Sequence, residues 1–213
     1  MCRNLSRAQS DKTVVAIVLA AGESRRMGTQ NKLTLPVDGR PMVAQVVDAF
    51  ERSRVKRVLV ITGHEPQRIR EALEGCRVEL LHNPDYVEGI ASSIRAGIGA
   101  LDDGVDAAIV ALADMPWVGS QVIDRLVDAY RAARELTIFI PMFGNKRGNP
   151  VLWGSQHFPE LLGLRGDVGG QALFDRNSEA IGYVDVESPG VNVDVDTPEA
   201  LRALGIGEGS DSS

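Results

Sequence analysis

Short, unbroken apolar runs alternate along the chain with longer segments in which apolar residues recur every three or four positions. The first run, Val14–Ala20, contains no polar residue and therefore predicts a strand that is covered on both faces. Similar runs predict further strands at 58–62, 78–82, 107–112, 137–141, 181–185 and 191–195, with a short apolar piece at 150–153. Strands without a polar face indicate a parallel sheet.

The periodic segments predict helices that pack against this sheet. The clearest is 120–134, with Ser120 as its N-cap and a buried stripe formed by Val122, Ile123, Leu126, Val127 and Tyr130. Other helices are predicted at 41–52, 66–73, 91–98 and 198–204, the first with Pro41 at its first helical position. Alternating strands and helices give right-handed crossovers, and ligands then bind at the carboxyl ends of the strands.

Length and composition favour a single domain. The chain has 213 residues, of which 44% are hydrophobic, enough for one substantial core. Polar and small residues at the two ends predict solvated tails at 1–12 and 206–213, which leaves one domain at 13–205.

Charge and cysteine content exclude several classes of function. A net charge of -6 argues against a nucleic-acid binder, because such proteins need a clustered excess of Lys and Arg. Cys2 and Cys76 are far apart in sequence, which argues against a disulfide framework and fits a reducing compartment. No apolar stretch is long enough to span a bilayer. We therefore expect a soluble, cytoplasmic protein with no membrane partner.

A glycine-rich segment follows the first strand directly. Gly22 and Gly28 allow close approach of a ligand to the backbone, and Arg25, Arg26 and Lys32 supply positive charge. These are the features that a polyphosphate needs, although a glycine pair after a strand also fits a simple tight turn. The spacing matches neither a P-loop nor a dinucleotide-binding loop.

Acidic residues occur where a metal ion could use them. Asp114 follows the strand at 107–112, and Asp194 and Asp196 are two positions apart on a further predicted strand, which points them the same way. Mg²⁺ prefers hard oxygen ligands and typically takes one or two protein carboxylates. Asp196 is equally well placed to cap the following helix. None of His64, His82 and His157 lies beside a convincing Ser or Cys partner, so a triad hydrolase is not favoured, and we expect each His on the surface or in a loop.

A second loop leads into the helix predicted at 91–98. Its residues 83–89, followed by Ser92 and Ser93, could place free backbone N–H groups at a further anion. An ordinary capped helix start explains the same pattern equally well.

The segment Leu19 to Gly28, followed by Lys32, resembles the L-A-A-G-x-S-x-R-M-G…K signature of the MobA-like nucleotidyltransferases. The resemblance implies a Rossmann-like three-layer α/β sandwich of the nucleotidyltransferase type, with a mostly parallel mixed sheet. It also implies that this loop wraps an NTP triphosphate, with Lys32 and Arg25 in catalytic roles. The implied nucleotide-binding residues are Leu19, Ala20, Ala21, Gly22, Ser24, Arg25, Arg26, Met27, Gly28, Lys32, Gly89 and Ser93.

The same resemblance places Asp114 in the family's metal motif and residues 194–199 in its D-x-D-T-P-E motif. It therefore implies Mg²⁺, with Mn²⁺ as the alternative, held by Asp114 and by Asp196 or Asp194. In the branch that attaches CMP to the molybdenum cofactor, R-G-H-P and L-x-G-D-x-G-A-R motifs are similar to residues 147–150 and 164–169 here. The implied acceptor-binding residues are Ser92, Arg147, Gly148, Asn149, Asp167 and Gly169.

Two departures weaken the implied acceptor. Asn149 stands where that branch has His, and Gln171 stands where it has Arg, so a bidentate phosphate clamp is missing. The methyl group of Ala21, where the guanylyl branch has Gly, favours cytosine over guanine. The resemblance thus implies transfer of CMP from CTP to molybdopterin, with transient docking to a molybdoenzyme. Alternatives are GTP as donor, a sugar or alditol phosphate as acceptor, an NAD(P)-binding oxidoreductase, and a non-catalytic accessory protein.

Overall fold

The computed structural model describes residues 12–23 and 31–195. The strands in this part are, in chain order, β1 (Val14–Ala20), β2 (Pro36–Val37), β3 (Arg40–Pro41), β4 (Val58–Thr62), β5 (Glu79–His82), β6 (Ala107–Leu112), β7 (Ile138–Phe143), β8 (Lys146–Arg147), β9 (Val151–Gly154) and β10 (Ile181–Asp185). The α-helices are α1 (Met42–Glu51), α2 (Pro66–Ala72), α3 (Ile90–Gly99), α4 (Ser120–Ala132) and α5 (Phe158–Leu162).

Eight of these strands form one sheet in the order β10-β7-β9-β6-β1-β4-β5, with β8 beside β7. β1 pairs in parallel with both β4 and β6, and β10 pairs in parallel with β7. β9 runs antiparallel to β6 and β7. The predicted mostly parallel mixed sheet is therefore confirmed. The chain leaves β1 toward β4 and later returns to its other side at β6, which makes the gap between β1 and β6 the switch point of the sheet.

The core lies in two layers, one on each face of the sheet. Alternate side chains of β1 pack into different layers: Val14, Ala16, Val18 and Ala20 into one, and Val15, Ile17 and Leu19 into the other. The first layer is covered by α1 and α4, the second by α3 and α5. All seven residues of β1 are buried, as its unbroken apolar run predicts. The three-layer sandwich is confirmed.

The starts of α1, α3 and α4 differ from the predictions by one residue, whereas α2 begins at Pro66 as predicted. The five predicted residues of the α4 stripe are all buried, but the N-cap is Gly119, and Ser120 is the first helical residue without a side-chain cap. Likewise Pro41 is the N-cap of α1 and not its first residue, because its backbone is extended and pairs with Pro36 in the β2–β3 hairpin. That hairpin, β8 and α5 are elements the sequence did not predict.

The strand predicted at 191–195 is wrong. Residues Pro189–Asn192 form a 3₁₀ turn, and the backbone beyond it pairs with no strand. Instead, the Val191 carbonyl accepts a hydrogen bond from the Asn149 N–H (2.9 Å), and the Val195 N–H donates to the Asp114 carbonyl (3.0 Å). We call residues 191–195 the edge segment, because it crosses the carboxyl edge of the sheet from β9 to β6.

Some predictions lie outside the described residues, among them the helix at 198–204 and most of the two tails. Lys12, assigned to the N-terminal tail, donates through Nζ to the Tyr130 carbonyl (3.1 Å), so this residue contacts α4. Among the described helices, none combines the length and apolarity that a bilayer crossing would require.

Candidate functional site

A cleft of about 620 Å³ opens at the carboxyl edge of the sheet, over the gap between β1 and β6. This is where an open α/β sheet binds its ligands. The cleft is lined by Leu19, Ala21, Gly22, Glu23, Lys32, Leu33, Tyr86, Val87, Glu88, Gly89, Ile90, Ser93, Leu112, Asp114 and Asp167. Residues from the predicted phosphate loop, metal motif and acceptor loop thus meet in one place.

The turn after β1 forms one wall of this cleft. Leu19 and Ala21 are nearly buried at its base, and Gly22 stands in the open, where an added Cβ would meet nothing within 4 Å. Ala20 was predicted to bind nucleotide, but it packs into the core behind the wall. The remainder of the predicted loop, Ser24, Arg25, Arg26, Met27 and Gly28, lies outside the described residues.

Lys32 and Asp114 form an ion pair in the cleft. Lys32 begins a short 3₁₀ helix, Lys32–Thr34, which is capped by the side chain of Asn31: its Oδ1 accepts from the Leu33 N–H (3.1 Å). Leu33 is buried, which fixes the orientation of the turn. The Lys32 Nζ then lies 2.7 Å from Asp114 Oδ2, and the two side chains are only 13% and 17% exposed.

The other carboxylate oxygen of Asp114 is available as a ligand. Asp114 Oδ1 is buried and, within the described ranges, has no hydrogen-bond partner. A buried carboxylate oxygen without a partner costs free energy, and a hard cation would satisfy it. The edge segment ends beside the backbone of Asp114, because the Val195 N–H donates to the Asp114 carbonyl, and its neighbour Asp194 is exposed and does not line the cleft. Asp196 lies outside the described residues. In the described part of the chain, no cluster of three His, Cys, Asp or Glu side chains forms a ready-made metal site.

The N-terminus of α3 is already capped, which agrees with the ordinary helix start and not with the anion site that the sequence also allowed. The Ile90 N–H donates to Asp167 Oδ1 (3.4 Å), the Ala91 N–H to the Gly166 carbonyl (3.2 Å) and the Ser92 N–H to the Gly89 carbonyl (3.1 Å). The loop at 164–169 therefore supplies the negative group that the helix start attracts. Asp167, predicted to bind the acceptor, caps this helix and lines the cleft as well.

The two serines of α3 have different positions. Ser93 lines the cleft, but Ser92 is buried and its Oγ donates to the Gly89 carbonyl (2.9 Å), so it faces away from the expected acceptor. Both hydroxyls accept hydrogen bonds from Asn83 Nδ2, at 2.9 and 3.1 Å. Asn83 was not predicted as a site residue. Its side chain holds the two serine hydroxyls in place.

The remaining predicted acceptor residues lie beyond the cleft wall. Arg147 is on β8, exposed, and donates to the Tyr183 hydroxyl (2.6 Å). Gly148 is buried, and an added Cβ would meet the Val191 carbonyl at 2.6 Å. Asn149 is held through its backbone to the edge segment. Gly169 belongs to the same loop as Asp167 but does not line the cleft.

Sequence reasoning missed the wall formed by the 3₁₀ helix Tyr86–Glu88. Tyr86 packs so closely on Gly63 that an added Cβ there would lie 2.5 Å from the Tyr86 Cβ and 2.8 Å from the Ala21 Cβ. Glu88 pairs with Arg95 at 2.8 Å. The signal in the sequence was Tyr86, an aromatic residue within the loop at 83–89.

His157 is the one histidine whose predicted location is wrong among the described residues. It is buried, with Nε2 2.9 Å from Thr137 Oγ1 and Nδ1 3.1 Å from Glu160 Oε1. A hydrogen bond from Asn177, together with His157, holds the pKa of Glu160 below its ordinary value. This network does not line the cleft, so its contribution is to stability.

Known proteins resemble this chain over most of its length. A family model described as the MobA-like NTP transferase domain matches residues 16–181. The purine catabolism protein PucB of Bacillus subtilis is 29% identical over 202 residues, covering 87% of this chain and 93% of that protein. The nicotine blue oxidoreductase of Paenarthrobacter nicotinovorans is 26% identical over 198 residues, covering 90% of this chain and 96% of that protein.

Solved structures share the fold. Rv0371c of Mycobacterium tuberculosis H37Rv superposes with a TM-score of 0.78 at 23% identity, covering 91% of this chain and 97% of that one. A complex of the same protein with manganese superposes with a TM-score of 0.75 at 22% identity, covering 91% of this chain and 98% of that one. At this identity the likeness concerns the fold.

Proposed function

Because the chain belongs to the MobA-like NTP transferase domain family and is a nucleotidyltransferase, we propose that it transfers CMP from CTP to molybdopterin with release of pyrophosphate. The observation that carries the proposal is the Lys32–Asp114 pair on the wall of the cleft at the sheet switch point. It supplies, side by side, a cation for phosphates and a carboxylate with one oxygen that has no hydrogen-bond partner among the described residues.

In the proposed reaction, an acceptor phosphate oxygen forms a bond to the α-phosphorus of CTP, and the bond from that phosphorus to the β-phosphate oxygen breaks. Pyrophosphate leaves with the electron pair. Lys32 neutralises charge that develops on the phosphates, and Gly22 allows them to approach the backbone. We propose the same role for Arg25. Nucleotide contacts are also proposed for Leu19, Ala21, Ser24, Arg26, Met27, Gly28, Gly89 and Ser93.

The proposed metal is Mg²⁺, with Mn²⁺ as the alternative. Asp114 would hold it together with Asp196 or Asp194, which fits an ion that takes one or two protein carboxylates and fills its other positions with water and phosphate. When bound, the ion offsets negative charge on the phosphates. The chain's own contribution is to orient Asp114, through the bond from Val195 to its carbonyl and the ion pair with Lys32.

Cytosine is the proposed base because the Ala21 methyl group lines the cleft at the turn after β1, where the guanylyl branch has Gly. This methyl group takes up space beside the proposed nucleotide, which favours the smaller base. GTP is the alternative donor.

Molybdopterin as the acceptor rests on the motifs around Arg147 and Asp167, to which we assign acceptor contacts together with Gly148, Asn149 and Gly169. Docking to a molybdoenzyme that receives the product is part of this proposal. A sugar or alditol phosphate is the alternative acceptor, because Asn149 and Gln171 depart from the cytidylyl branch.

The first experiment compares thermal stability with CTP, GTP, ATP and NADPH, each with and without Mg²⁺. A ligand that binds only the folded state raises the unfolding temperature. We expect CTP with Mg²⁺ to give the largest increase, and pyrophosphate to appear only when molybdopterin is added. An increase with GTP alone, or pyrophosphate release with molybdopterin absent and a sugar phosphate present, would overturn the respective part of the proposal.

An oxidoreductase is the second candidate, since one relative of similar length is named nicotine blue oxidoreductase. Hydride transfer has no need for the Asp114 carboxylate. Stabilisation by NADPH without Mg²⁺, together with full activity of an Asp114→Ala variant, would favour this candidate over nucleotidyl transfer.

A further inference from the structure

Arg147 is held in place by two aromatic side chains. Its Nη2 donates to the Tyr183 hydroxyl at 2.6 Å, and its Cζ lies 5.3 Å from the centre of the Tyr183 ring. The guanidinium Cζ also lies 5.7 Å from the centre of the Phe174 ring. Phe174 is itself fixed, because it is buried and stacks on the fully buried Trp153. An arginine held by rings and a hydroxyl loses side-chain freedom while keeping its charge.

That charge is not offset by an acid within the described ranges. Arg54, Arg57 and Arg95 each pair with a carboxylate, as most surface arginines here do. Arg147 has no carboxylate within 4.0 Å in the described part of the chain, and its partner Tyr183 offers a neutral oxygen. A guanidinium carries five N–H donors, of which this bond uses one. The rest are arranged to suit bidentate binding of a phosphate.

Arg147 and Tyr183 lie on the same face of the sheet as α3. Arg147 pairs with Met142 and Tyr183 with Ile140, and residues two apart on a strand share a face. Ile140 belongs to the core layer that contains Leu19 and α3. β6, β7 and β10 end at one edge of the sheet, because β9 is antiparallel to β6 and to β7 and β10 is parallel to β7. Arg147 and Tyr183 therefore lie along the same edge of the sheet as the cleft, but outside it.

The loop at 164–169 connects the cleft to the Arg147–Tyr183 pair. Asp167 lines the cleft, and three residues later Gly170 packs on Trp153 so closely that an added Cβ would lie 2.7 Å from its ring. Phe174 follows directly and contacts Arg147. An acceptor that reaches from the cleft over this loop would meet the guanidinium. Tyr183 is 50% exposed beside it, an unusual exposure for a large aromatic side chain.

We propose that Tyr183 is a positioning residue for the acceptor: it holds the Arg147 guanidinium, without neutralising it, where an anionic group of the acceptor such as a phosphate monoester binds. This inference rests on the proposed transfer to a phosphorylated acceptor. Phe174 supports the guanidinium from the core side, and Tyr183 is the partner that faces solvent.

The test uses phenyl phosphate, a simple phosphate monoester, as the probe. Its binding is followed by broadening of its ring signals in proton NMR on wild type and on Arg147→Gln, Tyr183→Phe, Tyr183→Ala and the double variant Arg147→Gln/Tyr183→Ala. Arg125→Gln is the control, because it removes the same charge from an exposed position on α4, which covers the other face of the sheet. Thermal stabilisation by CTP with Mg²⁺ is measured on every variant.

We expect Arg147→Gln to weaken phenyl phosphate binding about tenfold, the loss typical of a charge-assisted hydrogen bond. Tyr183→Ala should weaken it by a similar factor, Tyr183→Phe by less because the ring remains, and the double variant no more than Arg147→Gln, since Tyr183 acts only through the guanidinium. The affinity for phenyl phosphate should be unchanged in Arg125→Gln. The thermal stabilisation by CTP with Mg²⁺ should be unchanged in every variant.

Three results would overturn the inference: no binding of phenyl phosphate to the wild type, an unchanged affinity in Tyr183→Ala, or additive losses in the double variant. The proposed function fails separately. CTP with Mg²⁺ could fail to stabilise the wild type while the Arg147 and Tyr183 variants still bind phenyl phosphate more weakly. That result would support the anion site and contradict the assignment of the cleft to CTP.

Discussion

Lys32 Nζ donates to Asp114 Oδ2 at 2.7 Å, which joins the turn after β1 to the end of β6 across 82 positions of the chain. Both side chains are largely buried, and each is the other's charge partner. The pair therefore has two functions that can be separated. It stabilises two charged groups that would otherwise be poorly solvated, and it places a cation and a carboxylate on the same side of the cleft.

Neutralising either member of this pair should harm both stability and catalysis. We expect Lys32→Gln and Asp114→Asn each to lower the free energy of unfolding by about 1–3 kcal/mol, because a mostly buried charge loses its partner. Turnover with CTP and Mg²⁺ should fall about 10²–10³-fold. Urea unfolding and a pyrophosphate-release assay measure the two effects.

The double variant Lys32→Gln/Asp114→Asn distinguishes them. It removes both members of the pair at once, so its loss of stability should be smaller than the sum of the two single losses, while its activity stays as low as in the single variants. Strictly additive losses of stability would mean that the two side chains do not interact in solution.

The second metal ligand can be identified by the binding of Mn²⁺. If Asp196 is the ligand, Asp196→Asn should weaken Mn²⁺ binding by about tenfold, the loss expected for a charged partner, and Asp194→Asn should change it little. The exposed Asp194, next to the bond from Val195 to Asp114, is the other candidate. Isothermal titration with Mn²⁺ decides between them, and wild-type affinity in both variants would exclude both carboxylates from the metal site.

Gly22→Ala tests the wall of the cleft without disturbing the fold. An added Cβ would meet none of the described residues within 4 Å, so the free energy of unfolding should stay within about 1 kcal/mol of the wild type. The methyl group would, however, stand where the triphosphate is proposed to approach the backbone. We expect the stabilisation by CTP with Mg²⁺ to fall markedly, and a full response in thermal shift would place the phosphates elsewhere.

Gly89→Ala should destabilise the protein for two reasons that a matched variant separates. Gly89 has a φ of +102°, and an added Cβ would lie 2.7 Å from the backbone of Asp167. Gly75 has a φ of +85° with nothing within 4 Å, so Gly75→Ala reports backbone strain alone. We expect about 1–2 kcal/mol for Gly75→Ala and about 1–3 kcal/mol more for Gly89→Ala, because the loop at 164–169 must shift. Equal losses would show that the loop moves freely.

The sequence predicts the fold best where a residue's neighbours in the chain determine its surroundings. Val14–Ala20, Val58–Thr62 and Ala107–Leu112 have the predicted bounds, because an unbroken apolar run at the centre of a parallel sheet is buried on both faces. The buried stripe of α4 follows from its helical period in the same way. In the site, Lys32 and Asp114 were predicted from local motifs and do lie together.

The predictions fail where the partner is distant in sequence. The alternating valines of 191–195 look like a half-buried strand, but their backbone bonds to Asn149 and Asp114, whose positions depend on the finished sheet. In the sequence, the start of α3 fits both an anion site and an ordinary capped helix, and Asp167, which occupies it, comes from 77 positions away. Arg147 and Tyr183 are likewise brought together only by the pairing of β7 with β8 and β10.

Tyr130 should make stability depend on pH on the alkaline side. Its ring is buried and its hydroxyl donates to the Asp106 carbonyl at 2.8 Å. Burial, and then the negative charge of Asp106, raise the pKa of Tyr130 to about 12, against about 10 in an unfolded chain. The folded state thus holds this proton more tightly than the unfolded state does. The contribution to stability is complete below about pH 10 and is lost as the pH rises toward 12.

Tyr130→Phe is the matched variant, since it removes the titrating group and keeps the ring. Near pH 8 it should be less stable than the wild type by about 1 kcal/mol, the usual net value of a hydrogen bond. Between pH 9 and 11 the wild type should lose stability faster, so the difference in the free energy of unfolding between the two proteins should shrink. Lys12, which lies 4.4 Å above the ring, and the other tyrosines are present in both proteins, so their titration contributes to both curves. Parallel curves in urea unfolding across this range would mean that the Tyr130 hydroxyl is not buried in solution.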